Sequence, residues 1–211
     1  MAAESVRTAR GVRARERLIE AATQELASTG SFEVAAVARR AGVSAGLPYR
    51  YFGTRTGLLV AVVDAFYQRF CDSIALRVYD APTWAQRERQ RITDWVDFLY
   101  REPVAPVILA GLGEGELATA RGRWVQELSK TGAQNMAQGQ RDGEIPADRD
   151  PEYLAAATLG GTNAVVTVCL IRDPRPPAAT VVDQLWMFVS GSVGLRTSSK
   201  ADAPLPNLIT A

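Results

Sequence analysis

The chain has 211 residues, 47% of them hydrophobic, and its 24 basic and 23 acidic side chains leave a net charge of +1. That length allows one large domain or a small one joined to a larger one, with enough apolar residues for a proper core. Histidine is absent altogether, which removes histidine zinc sites and Ser-His-Asp or Cys-His catalysis.

The near-neutral total hides an asymmetry, because residues 1–57 carry +4 and the remainder −3. A basic front end on an acidic body points the first segment towards polyanions. Cys71 and Cys169 lie far apart in apolar helical patterns and read as buried free thiols rather than a disulfide framework. The first twenty residues lack the apolar run of a signal peptide, so the cytoplasm is the expected compartment.

Helical periodicity dominates the chain and no alternating strand pattern is convincing, so the expected class is all-α with about nine helices. A first helix is predicted from about Arg10 to Ser28, with Leu18, Ala22 and Leu26 on one face, stopped by Gly30. A second, short helix spans about Glu33 to Arg40, where Val34, Val37, Ala38 and Ala41 make one apolar stripe. "AGVS" breaks it, and Ser44 is placed to cap a third helix. Thr54 caps a long fourth helix whose apolar pattern continues to about Val78.

Pro82 opens a fifth helix that turns Ile92, Trp95, Val96 and Leu99 inward, and Pro103 and Pro106 bracket a short sixth. The seventh runs from about Glu116 to Gln140. Asp150 and Pro151 start the eighth, whose 19-residue span Tyr153–Ile171 holds no charge; it reads as a helix buried on nearly all sides rather than a membrane span. In the ninth, Val181, Leu185, Phe188 and Ser192 mark one face. The tail 199–211 is expected to fray.

Two short helices joined through Gly42 form a helix-turn-helix pattern, the second helix being the one that enters a DNA major groove. Here the residues carry a family resemblance. "RLIEAATQELASTGSFEVAAVARRAGVSAGLPYRYFGTRTGLLVAVV" resembles the N-terminal domain of TetR-type transcriptional regulators, through "VARRAGVS", Tyr49, the Tyr51–Phe52 pair and a capped helix start with Arg55. It departs in a short "GSFEV" loop, in Pro48–Tyr49 before "YF", and in Tyr51 where histidine is common.

The resemblance implies a helix-turn-helix domain over residues 1–57 and a ligand-binding and dimerisation domain over 58–198. It implies that Ala45, Gly46 and Leu47 reach base edges, that Arg50 pairs with guanine, and that Ser44, Tyr49, Tyr51, Thr54 and Arg55 meet phosphates. Arg39, Arg40 and the arm residues Arg7, Arg10 and Arg13 would add backbone contacts, while Phe52 belongs to the core. A repressor follows, binding a palindromic operator in double-stranded DNA as a homodimer and released by a small, largely apolar ligand. No metal or cofactor is implied.

Phe66, Phe70, Trp95, Phe98 and Trp124, with Asn163 and Thr167, are the candidate ligand pocket. Gly160, Gly161, Ala164, Val168, Leu185, Val189 and Val193 are the candidate dimer interface, because small residues let helices approach closely. The alternative is a helical small-molecule carrier or an enzyme without a DNA-binding role. Asp94 and Asp97 read better as ion-pair partners of Arg91 and Arg101 than as metal ligands, and Glu114 and Glu116 lie in a Gly-rich turn.

Overall fold

The computed structural model describes residues 2–111 and 116–195, with side chains from residue 11 onward, Glu116 excepted. Arg7 and Arg10 therefore lie outside the described side chains, as do Glu114 and the tail 199–211. Among the described residues there are nine α-helices and no strand: α1 (Ala2–Thr29), α2 (Val34–Arg40), α3 (Leu47–Phe52), α4 (Arg55–Phe70), α5 (Trp84–Arg101), α6 (Ala105–Ala110), α7 (Glu116–Arg141), α8 (Pro151–Ile171) and α9 (Ala178–Val193).

The first three helices assemble around the stripes read from the sequence. Leu18, Ala22 and Leu26 of α1 are buried against Val34, Val37 and Ala38 of α2 and the start of α4. Each of these helices is too short or too polar to persist alone, so the packed stripe holds it. α1 begins at Ala2, earlier than the predicted Arg10, because "MAAESVRTAR" contains good helix formers and no breaker.

α4 connects the two parts, packing on α1 and α3 at its start and on α7 further along. A single core runs through it from Leu18 to Val193. Instead of continuing to Val78, α4 ends at Phe70 and passes into a π-helical turn, Cys71–Ala75. The apolar pattern beyond it is misleading, since Leu76 and Val78 are exposed.

α5 opens on a reciprocal cap: the Thr83 hydroxyl accepts from Gln86 N–H while Gln86 accepts from Thr83 N–H. Glu144, from the loop after α7, accepts from both Trp84 N–H and Ala85 N–H at 2.5 and 3.1 Å. A carboxylate on the unpaired N–H groups of a helix start is favourable by hydrogen bonding and by the helix dipole. Trp84 is fully buried, its indole N–H donating to the Asn135 carbonyl at 3.1 Å. Both cysteines are buried and free, and burial pushes the Cys71 thiol above its ordinary value, with Asp72 adding to it.

α8 corrects an expectation. It buries only Ala155, Thr158, Thr162, Val166, Cys169 and Leu170, one stripe facing α7 and α9. Tyr153, Val165, Val168 and Ile171 are exposed on its other side. By length and composition it is the one described helix apolar enough to cross a membrane. On α9 the buried face is Val181, Val182, Leu185, Val189 and Val193, so Phe188 sits on the exposed side and Ser192 is only half-buried. Phe188 lies over α8, where a Cβ on Gly161 would come within 2.4 Å of its ring.

Candidate nucleic-acid interface and internal cavity

The turn between α2 and α3 is built on Gly42, whose φ of +65° is left-handed. Its neighbour Val43 donates to the Ala38 carbonyl at 3.0 Å, closing α2. The third helix then starts later than predicted. Ser44 does not cap it: Gly46 is the capping residue, no side chain takes part, and Leu47 N–H donates to the Ser44 carbonyl in a preceding turn. Pro48 consequently falls at the second helical position, where no intrahelical hydrogen bond is forfeited.

This register sorts the side chains. Pro48 is buried, and Leu47, Phe52 and Val43 pack partly against the core. Ser44, Ala45, Gly46, Tyr49, Arg50, Tyr51, Thr54 and Arg55 are exposed. Phe52 is held from above by Arg15, whose guanidinium lies 5.4 Å from the ring centre, so it is half-buried rather than sealed in the core.

Two glycines fix α3 to α4. Gly53 ends α3 at a φ of +71°. Gly57 lies in the first turn of α4, where an added Cβ would sit 2.1 Å from the Phe52 carbonyl oxygen. Only hydrogen fits there. Thr54 caps α4 as expected, accepting from Gly57 N–H at 2.9 Å. Gly57 carries no turn signal in the sequence, and its need is visible only in the contact.

The arginines divide. Arg55 donates through Nε to the Phe32 carbonyl at 3.0 Å and stacks over the Phe32 ring, so it braces the α1–α2 loop as well as standing at the start of α4. Arg40 is paired with Glu25 at 2.7 Å. Arg39, Arg13 and Arg50 are exposed, as are Arg40 and Arg55.

A cavity of about 110 Å³ opens among the π-turn, α5, α7, α8 and α9. Of the candidate pocket residues, Phe70 and Trp95 line it. Phe66 and Phe98 instead sit behind it in an aromatic cluster, Phe66 at 5.6 Å and Phe70 at 5.7 Å from Phe98. Trp124 lies elsewhere, stacked on Tyr67 and donating to Asp64 at 2.8 Å. Asn163 and Thr167 are absent from the lining; the Thr167 hydroxyl donates to the Asn163 carbonyl along α8.

The polar lining was not foreseen. Glu88 accepts from Arg91, one turn on, and from Asn135 of α7 at 2.7 Å. Arg91 also lies 4.8 Å from the Tyr79 ring centre, and Tyr79 donates to Asp94 at 3.1 Å. Burial, and then the Asp94 carboxylate, push the Tyr79 phenol well above its ordinary value. Asp94 is paired with Arg77 at 2.6 Å, so the within-helix pairing predicted for it is replaced by a contact to the segment after α4. Thr158 and Thr162, four apart on α8, complete the wall. Their spacing on a charge-free helix was a usable signal.

The candidate interface residues also divide. Gly160, Ala164 and Val168 are exposed and Gly161 is half-buried under Phe188. Leu185, Val189 and Val193 are buried at 0, 3 and 0% exposure, so they belong to the chain's own core and not to a contact between copies. Exposed on the outer surface are Val165, Met187 and Phe188; Val165 and Phe188, with Ala164 and Val168, line a groove between α8 and α9.

The family-model match lies across the helix-turn-helix. Residues 18–62 match the family model of bacterial regulatory proteins of the tetR family. Structural likeness extends over the rest of the chain. The fatty acid degradation regulator FadR from Bacillus halodurans superposes with a TM-score of 0.76 at 20% identity, covering 86% of this chain and 97% of that one. FadR from Bacillus subtilis, in complex with stearoyl-CoA, gives 0.75 at 16% identity over 84% and 98%. AibR, in complex with isovaleryl coenzyme A and operator DNA, gives 0.66 at 16% identity over 87% and 100%. At such identities the likeness establishes a shared TetR-type fold. No curated protein matches the sequence.

Proposed function

We propose that the chain is a ligand-responsive transcriptional regulator that binds a palindromic DNA operator as a homodimer and acts as a repressor. One observation carries the reading. The α3 surface that would face a groove is exposed and hydrogen-bonding, whereas Pro48 is buried on the opposite side and Gly57 of α4 lies close against the Phe52 carbonyl. In this reading Ala45, Gly46 and Leu47 approach base edges and Arg50 pairs with guanine. Tyr49, Tyr51, Ser44, Thr54 and Arg55 contact phosphates, and residues 1–57 and 58–198 divide DNA recognition from ligand binding and dimerisation.

The apolar groove of α8 and α9 is the dimer surface, giving the twofold pair whose recognition helices lie about 34 Å apart, one duplex turn. An occupied cavity would act through the π-turn, which joins the cavity wall at Phe70 and Ile74 directly to α4. A coupling of about 1–3 kcal/mol is enough to release DNA. The complexes of FadR with stearoyl-CoA and of AibR with isovaleryl coenzyme A and operator DNA support a regulator of this fold that responds to a small molecule. The compartment is then that of the DNA, the cytoplasm.

Selection of bound fragments from random duplex DNA tests it. The expected product is a palindrome with half-sites one to two turns apart, bound with a steep salt dependence. Failure to retain any duplex in dilute buffer overturns the reading and favours a small-molecule carrier.

A further inference from the structure

The cavity lining says which compounds fit, given the proposal that this cavity is the ligand site. We infer that it takes an uncharged compound of about benzene size bearing a hydrogen-bond donor, seated with that donor against Thr158 and Thr162.

Size comes first. At about 110 Å³ the space is slightly smaller than the ~150 Å³ apolar cavity that admits benzene. The walls are close: a Cβ on Gly132 of α7 would stand 3.1 Å from the Ala155 Cβ of α8. A long acyl chain needs a tunnel in this wall.

Hydrogen bonding sets the polarity. The Thr158 hydroxyl donates to the Leu154 carbonyl at 2.7 Å, and the Thr162 hydroxyl donates to the Thr158 carbonyl at 2.6 Å. A carbonyl cannot donate, so each hydroxyl hydrogen is already used and only oxygen lone pairs remain for a ligand. Both residues are buried, at 6 and 1% exposure. The two threonines therefore offer a ligand acceptors and no donor. A carboxylate placed there would meet oxygen lone pairs.

Charge closes the choice. Glu88 and Arg91 neutralise each other at the outer wall, their side chains 12 and 23% exposed, and Asn135 holds the carboxylate. A charged ligand would enter without a counter-ion unless it broke this pair, which is costly out of water.

Calorimetric titration of the full chain with phenol, toluene, benzoate and 1-dodecanol tests the inference. Phenol and toluene have the same number of heavy atoms and differ in the donor. Phenol is expected to bind saturably, and the double variant Thr158→Val/Thr162→Val to weaken it about tenfold or more while toluene is unchanged. Benzoate and 1-dodecanol are expected not to bind. Thr162→Ser alone, which keeps the hydroxyl, is expected to retain phenol binding and guards against a folding artefact. Equal loss of phenol and toluene, no loss of phenol, or tight binding of benzoate or 1-dodecanol overturns the inference. Absence of any binding by a chain that still selects duplex DNA overturns it too, and leaves the regulator reading intact. The expected pattern with unchanged DNA affinity supports the inference and removes the ligand response from the proposed function.

Discussion

Gly46 and Gly57 sit eleven residues apart on either side of α3 and are expected to respond to alanine in opposite ways. A Cβ on Gly57 meets the Phe52 backbone oxygen at 2.1 Å, and backbone yields poorly. Gly57→Ala should cost about 1–3 kcal/mol in urea unfolding, the range of an overpacked site, and should weaken DNA binding by displacing α3. A Cβ on Gly46 meets nothing within 4 Å. Gly46→Ala should therefore leave unfolding within about 0.5 kcal/mol and change only the selected DNA sequence. Arg50→Ala belongs with it: stability unchanged, discrimination at one base position relaxed by about 1–3 kcal/mol in competition binding. Arg55 cannot serve as a purely DNA-facing probe, because its Nε holds the Phe32 carbonyl.

The helix start of α5 depends on a residue from another element. Glu144 receives the first two N–H groups of α5, so Glu144→Ala should cost about 1–2 kcal/mol by analogy with loss of a helix cap, read as a lower thermal midpoint. Nearby, hydrogen bonds from Gln138 and Arg87 hold the Asp142 carboxyl below the usual carboxylate range. A lowered folded-state pKa stabilises the native chain above the unfolded value of about 4 and loses that contribution as pH falls through the folded value. Asp142→Asn should accordingly flatten the acid limb of the stability–pH curve without changing the neutral plateau's slope. The π-turn after α4 is the element the sequence concealed. Its residues continue an apolar periodicity that by itself describes a longer straight helix, and the change of hydrogen-bond register at Cys71 answers to packing against α5.

At the scale of the molecule, the outer side of α8 and α9 matters most. Val168 of α8, which lines the groove between those helices, and Met187 of α9 are exposed at 47 and 57%. Val168→Asp with Met187→Lys should leave the far-ultraviolet circular dichroism intact, since neither side chain supports the chain's own core. Sedimentation should shift from dimer to monomer, and affinity for a palindromic duplex should fall at least about tenfold. A dimer that persists in this variant would place the interface elsewhere. On the proposed dimer, the same face would account for α8 having almost no charged residues although only one stripe of it is buried.

The sequence by itself determined the helical class, the stripes of α1 and α2, the left-handed turn at Gly42, the Thr54 cap and the two isolated thiols. These rest on local rules: a 3.6-residue period, a residue that tolerates positive φ, a hydroxyl beside free N–H groups. The TetR-type signature was legible for a related reason, since "VARRAGVS" and the aromatics after it lie within one short stretch of chain. Tertiary structure alone decided that Ser44 is not the cap, that Gly57 must lack a side chain, and that Leu185, Val189 and Val193 face inward. It also decided that Glu88, Arg91, Asn135, Thr158 and Thr162 share one cavity. Those facts depend on contacts between helices far apart in sequence, and a helix's period shows that it has an apolar side without showing which neighbour, or which copy of the chain, will cover it.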